Sequence, residues 1–313
     1  MAMVRVGSGR TTTRLHVERD GAGEPLLWIT GFAISSEIFT PVMTRYTAGY
    51  DCIRYDNRGS GRSESRWRVT SVPELAGDAV RLLDALGLDS AHVYGLSMGG
   101  MIAQEMAIRF PDRVRGLVLG ATTHGGPRAA LPDPRVAAAL TSRSAPKALR
   151  AELVSRALFT EAYRAREPDL VREHLLLLAA HPARVQGVLS HLLASTYHDT
   201  RARLAQVQAP TLVLHGADDR LTPVANARRI AALVPDAELV VLPEVGHGYL
   251  LEAPDASYRA FATWLEARSP VPAGRPLHGL AAAAEPLTRA FGLPVGALRT
   301  GASLLSPRQP PTP

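Results

Sequence analysis

The chain has 313 residues, of which 46% are hydrophobic and 20% charged, with a formal net charge of +6; this is an ordinary globular composition, long enough for one large α/β domain with an insertion or for two small domains. The single Cys52 excludes an intrachain disulfide framework and a cysteine-built zinc site, and the lack of both an uninterrupted run of apolar residues of membrane-spanning length and an apolar leader core argues for a cytoplasmic protein. Arg275, Arg289, Arg299 and Arg308 against Glu285 place half of the positive surplus near the C-terminus, and no basic run interleaved with aromatics occurs in the body, so nucleic acid is not an expected partner.

In chain order, Thr12–Glu18 alternates weakly, as a first strand would, and Gly21–Pro25 reads as a turn. Leu26–Ile29 is a short apolar strand, followed at once by Thr30-Gly31-Phe32-Ala33, where a glycine just past the strand end lets the backbone approach closely. Ser36–Tyr46 reads as a helix and Tyr50–Tyr55 as a strand. The glycine-rich loop Asp56–Ser63 does not have phosphate-cradling spacing, because position 64 is glutamate and no helix follows, so Asp56 and Arg58 are expected to brace the loop. Ser71, Pro73 and Glu74 make a capped helix start, Leu75, Ala79, Leu82, Leu83 and Leu86 keep helical spacing, and Gly87 ends the helix. Ala91–Tyr94 is a buried strand, Met98–Phe110 a helix that stops before Pro111, and Val114–Gly120 another strand. This alternation predicts a mostly parallel, doubly wound α/β sheet, with ligands at the carboxyl ends of the strands.

From Pro127 to about Gln208 the alternation stops. Helices are expected near Asp133–Leu140, Lys147–Leu158, Pro168–Ala179 and Pro182–Thr196, forming an all-helical cap over the strand ends. His174, His181, His191 and His198 lie here at spacings unsuited to a helical chelate, so they are read as packing or surface residues and no metal is expected. The alternation resumes with strand Ala209–Leu214, helix Pro223–Leu233, strand Glu238–Leu242 and helix Pro254–Ala267. The expected division is a core of residues 1–126 and 209–268, a cap of 127–208, and a Pro/Ala-rich extension of 269–313 in which Leu277–Phe291 has a helical pattern.

Three residues carry the chemistry. Gly95-x-Ser97-x-Gly99, between a strand and a helix, is a nucleophile elbow: the serine sits at the tip of a strained turn, and its neighbours two positions away must be small. Asp219 and His247 follow, each just past an expected strand, which is the chain order of a Ser-Asp-His triad on this architecture. A serine hydroxyl is a poor nucleophile at neutral pH, so a histidine must take its proton, and a carboxylate must hold the imidazole in the right tautomer. Asp218 is the rival carboxylate; the spacing to Pro223 favours Asp219. Backbone N–H groups of Phe32 and Met98 are expected to form an oxyanion hole, and Gly31, Tyr197 and Tyr249 to line the substrate pocket.

On these residues, together with Asp56-x-Arg58-Gly59-x-Gly61-x-Ser63 and Gly246-His247, the chain resembles the serine-nucleophile branch of the α/β-hydrolase superfamily over about residues 12–268. It is similar in its elbow to enol-lactonases and small carboxylesterases, and in Ile53-Arg54-Tyr55-Asp56 to polyketide methylesterases. It departs from the family's pattern in having Thr30-Gly31 where His-Gly is frequent, and no tryptophan in the cap, since the tryptophans are Trp28, Trp67 and Trp264. The resemblance implies hydrolysis of a carboxylic ester or lactone of a small, fairly apolar molecule through an acyl-enzyme, with no cofactor. The alternatives are a carbon–carbon bond hydrolase, thioesterase or perhydrolase on the same triad, or a non-catalytic ligand-binding homologue. The small-molecule substrate is the expected partner, and a homo-oligomer is compatible with the sequence.

Overall fold

The computed structural model describes residues 1–9, 12–64, 69–136 and 146–268. The expected extension 269–313 with its helix Leu277–Phe291 lies outside the described residues, as do Trp67 and the end of the helix expected at Asp133–Leu140. Residues 1–270 form one compact unit.

Eight strands make a single sheet: β1 (Ala2–Val6), β2 (Thr13–Gly21), β3 (Glu24–Ile29), β4 (Tyr50–Tyr55), β5 (Ala91–Leu96), β6 (Val114–Gly120), β7 (Thr211–Gly216) and β8 (Ala237–Leu242). Their order across the sheet is β1-β2-β4-β3-β5-β6-β7-β8. β2 runs antiparallel to both its neighbours and every other pairing is parallel. The doubly wound sheet expected from the alternation is therefore present, with one edge strand beyond it. β1 was not expected: its residues are mostly exposed, and a solvated edge strand has no apolar run to mark it.

Because side chains alternate across a strand, each central strand feeds two cores. Leu27 and Ile29 of β3 and Val93 of β5 face one cluster, with Leu75, Leu82 and Leu83 of α2 (Val72–Ala85), Ile102 and Met106 of α3 (Met98–Arg109) and, further along the chain, Ile230. Trp28 and Tyr94 face the other, with Tyr46 of α1 (Met43–Thr47), Phe261 and Trp264. Trp28 stacks on Tyr94 at 4.3 Å. Helix α2 begins as read: Ser71 and Glu74 form a complete capping box and Pro73 lies in the first turn. The stretch read as a helix from Ser36 is a 3-10 turn to Val42 that passes into α1, with Pro41 inside it.

Between β6 and β7 the described residues form α4 (Lys147–Leu158), α5 (Glu161–Arg166), α6 (Pro168–Ala180) and α7 (Val185–Thr196), followed by a 3-10 turn, Arg201–Gln206. Phe159, Tyr163 and Val171 from this segment join the aromatic cluster of the sheet. α8 (Ala225–Leu233) lies between β7 and β8, and α9 (Tyr249–Glu252) and α10 (Pro254–Glu266) follow β8. Among the described residues, no helix is long and apolar enough to cross a membrane.

Candidate active site

Ser97 lies between β5 and α3 at φ 56° and ψ −118°. A non-glycine residue with positive φ is strained, at about 1–3 kcal/mol, and needs surroundings that hold it. Its N–H donates to Gly120 O at 2.8 Å, and its carbonyl accepts from Thr122 Oγ1 at 2.7 Å and from Gly100 N–H at 2.9 Å. The glycines set the spacing: a Cβ at Gly95 would collide with Gly99 O, and one at Gly99 with Ile29 O. Strand, turn and helix thus approach more closely than any side chain allows, and Ser97 is left half-exposed at the tip.

Asp219 and His247 are joined directly. His247 Nδ1–H donates to Asp219 Oδ2 at 2.8 Å, and both residues are 5% exposed. The other carboxylate oxygen accepts from the N–H groups of Leu221 (2.9 Å) and Thr222 (2.7 Å). His215 Nε2 lies 3.2 Å from Oδ2 and 2.6 Å from Thr222 O. Burial pushes the Asp219 carboxyl up, but the charge of His247 and hydrogen bonds from His215 and His247 outweigh it, holding the group down at about 2. Of the two candidate carboxylates, Asp219 is the one that meets the histidine; Asp218 is exposed.

β8 stands three positions from β5 in the sheet, which is about 14 Å of strand spacing, so the loop carrying His247 has to lean back across the sheet. Tyr249 accounts for this. Its hydroxyl meets the hydroxyl of Tyr94, on β5, at 2.9 Å, and a Cβ at Gly120 would collide with it. The pocket role expected for Tyr249 is therefore corrected: the side chain is fully buried in the aromatic core and tethers the histidine loop. Tyr197, also expected in the pocket, is 83% exposed at the end of α7, on the outer surface rather than in an enclosed site. Gly31 is adjacent to the serine, where an added Cβ would come within 3.3 Å of Ser97 Cβ. Among the described residues, the N–H groups of Phe32 and Met98 have no protein acceptor, and neither Ser97 Oγ nor His247 Nε2 has a hydrogen-bond partner.

Asp56 and Arg58 brace their loop as read. Asp56 Oδ1 accepts from Ser36 N–H and Oγ–H, Oδ2 from Arg62 N–H, and Arg58 forks onto Asp78 at 2.7 and 2.8 Å. Two functional neighbours carry no sequence signal. Glu252 of α9 accepts from Gly246 N–H at 2.8 Å, from Thr160 N–H at 3.2 Å and from Thr160 Oγ1. His191 of α7 accepts from Ala33 N–H. Each has a partner remote in sequence, Thr160 for Glu252 and Ala33 for His191, and neither belongs to a motif.

The family model described as serine aminopeptidase S33 matches residues 26–254, which contain the elbow, Asp219 and His247. The chain belongs to the α/β-hydrolase superfamily. This α/β-hydrolase is 31% identical over 245 residues to RutD of Azorhizobium caulinodans, whose name describes a carbamate hydrolase; the match spans 77% of this chain and 91% of the relative. It is 30% identical over 260 residues to a 2-hydroxy-6-oxononadienedioate/2-hydroxy-6-oxononatrienedioate hydrolase of Paraburkholderia phymatum, covering 78% and 88% of the two chains. The crystal structure of the enol-lactonase from Burkholderia xenovorans LB400 superposes with a TM-score of 0.72 at 26% identity, over 81% of this chain and 97% of that one. The protein is a hydrolase.

Proposed function

We propose that this α/β-hydrolase cleaves a carboxylic ester or lactone of a small, fairly apolar molecule through a Ser97-His247-Asp219 triad. Ser97 Oγ attacks the carbonyl carbon while His247 Nε2 takes its proton. Asp219 keeps the imidazole proton on Nδ1 and stabilises the cation that forms. The tetrahedral oxyanion is received by the N–H groups of Phe32 and Met98, the latter at the positive end of α3. Collapse breaks the bond to the alcohol oxygen, which leaves with the proton from His247. Water, deprotonated by His247, then releases the acid and restores Ser97. The chemistry calls for no cofactor.

The observation that carries this reading is the buried Asp219–His247 pair at 2.8 Å, on the same end of the sheet as a strained, half-exposed serine. Leu96 precedes that serine in the chain, and Phe32 and Ile34 belong to the loop whose Gly31 lies against it; all three are partly exposed, which favours an apolar acyl or alcohol part. The similarity to RutD supports a second reading, a carbamate, whose carbonyl would be attacked in the same way.

The test is intact mass after treatment with a fluorophosphonate, beside Ser97→Ala. One adduct on the wild type and none on the variant is expected, followed by turnover of p-nitrophenyl esters or simple lactones. Turnover of aryl carbamates alone moves the bond to the second reading. An unlabelled wild type overturns the triad in favour of a binding protein.

A further inference from the structure

The loop that carries Phe32 is held at three points. At its start, Asn57 Nδ2 donates to Thr30 O at 3.1 Å and to Thr30 Oγ1 at 3.0 Å. At its end, Ser36 N–H and Oγ–H donate to Asp56 Oδ1 at 2.6 and 2.8 Å. In the middle, Ala33 adopts φ 54°, a left-handed conformation that an alanine does not hold unaided. Its N–H donates to His191 Nδ1 at 3.1 Å, across to the helical segment.

His191 is well placed to hold that bond. Its Nε2 lies 2.8 Å from Arg58 O. A carbonyl only accepts, so the proton is on Nε2 and Nδ1 offers its lone pair to Ala33. The ring is fully buried, and burial holds its pKa below the ordinary histidine value, keeping it neutral. Helix α7 cannot drift. A Cβ at Gly187 would collide with Gly59 O, and Ser190 Oγ accepts from Thr70 N–H at 2.8 Å. Gly187, Ser190 and His191 share one helical face, and that face presses on the core loops. The Phe32 ring lies edge-on to the imidazole, 6.3 Å between centroids.

We infer that His191 is a positioning residue for the hydrolytic reaction: by accepting the Ala33 N–H it fixes the peptide plane next to Phe32 and aims the Phe32 N–H at the oxyanion. The inference rests on the proposed role of Phe32 as an oxyanion donor. Gly31 against Ser97 pins one side of Phe32, and His191 pins the other. An oxyanion donor acts only when it points at the charge before the charge develops, so loosening this peptide slows chemistry without weakening ground-state binding.

Three variants of the full chain separate this role from packing. His191→Asn places an amide oxygen near Nδ1 and keeps an acceptor for Ala33. His191→Gln places an amide nitrogen near Nε2, keeping the donor to Arg58 O and losing the acceptor. His191→Phe keeps the ring and loses both. The readout is saturation kinetics of Ser97 labelling by a fluorophosphonate, which gives a maximal rate and a binding constant separately.

His191→Phe and His191→Gln are expected to lower the maximal rate about 10–100-fold with the binding constant little changed, whereas His191→Asn stays within about 3-fold of wild type. Melting temperatures establish that each variant is folded, and if His191→Phe is not, the comparison of Asn with Gln decides. Equal rates for Asn and Gln, or changes confined to the binding constant, overturn the inference while leaving the triad intact. If wild-type Ser97 is not labelled, the triad reading fails and the inference falls with it.

Discussion

At the scale of single residues, the chemistry depends on where one proton sits. Asp219 accepts from His247 Nδ1 with one oxygen and from two backbone N–H groups with the other, and it has no room to turn. Asparagine there would present its amide nitrogen to one of these donors and favour the wrong imidazole tautomer. If Asp219 serves the proposed triad, Asp219→Asn is expected to lower kcat for an ester substrate about 10³–10⁴-fold, with its melting temperature falling only modestly; unchanged kcat would remove Asp219 from the proposed triad. Because its folded pKa is depressed to about 2 from an ordinary 3.8, its contribution to stability is complete above 3.8 and lost only as pH falls towards 2. Acid inactivation at milder pH belongs to other groups. The candidates that sequence marks are those fixed by backbone sterics or chain order: Gly95, Ser97, Gly99, Asp219 and His247. Tyr249 was misread, because its place after His247 suggests the pocket, whereas its contact with Tyr94 is 155 positions away and visible only in three dimensions.

At the scale of elements, the helical segment is tied to the histidine loop as well as to the Phe32 loop. Leu158 O, at the end of α4, accepts from Gly248 N–H at 2.7 Å, and Tyr163 Oη–H donates to Leu251 O at 3.1 Å. Between them Glu252 bridges Thr160 and Gly246, so His247 is flanked on both sides by backbone N–H groups satisfied from α4 or α9. Glu252→Ala would leave the N–H groups of Thr160 and Gly246 without acceptors in a largely buried place. At about 1–3 kcal/mol for each such group, a loss of about 2–6 kcal/mol and a fall in melting temperature of roughly 4–20 °C are expected. The activity should fall with them, because the loop that holds His247 is released. A thermal melt of the variant checks this, and an unchanged melting temperature would show that water replaces the carboxylate at no cost. Helices α4, α6 and α7 were legible from their periodicity, within a few residues. Helix α5 was not, because at six residues (Glu161–Arg166) it is too short to show a period. The clamps were not legible either, since a carboxylate that accepts from distant backbone leaves no local pattern.

At the scale of the whole molecule, a two-faced sheet with a helical segment stitched to it buries many imidazoles. His16, His92, His124, His174, His191 and His198 are all held below the ordinary histidine pKa, in each case chiefly by burial. A group whose folded pKa is lowered takes up protons in the unfolded chain first. Stability is therefore complete above the unfolded value of 6.5 and declines as pH falls below it, until the folded pKa is reached. His198 is the clearest case: it is 3% exposed, its pKa is pulled down to about 4, and among the described residues neither ring nitrogen has a hydrogen-bond partner. At pH 4.5 this residue alone should cost about 2–3 kcal/mol of stability relative to pH 7. Replacing it with an apolar side chain of similar size sacrifices no hydrogen bond and removes the titration. Urea denaturation at pH 7 and pH 4.5 is expected to show the wild type losing several kcal/mol and His198→Leu losing about 2 kcal/mol less. If the two proteins lose the same amount, His198 is not buried as a neutral imidazole, and the acid sensitivity of the fold has to come from the remaining histidines.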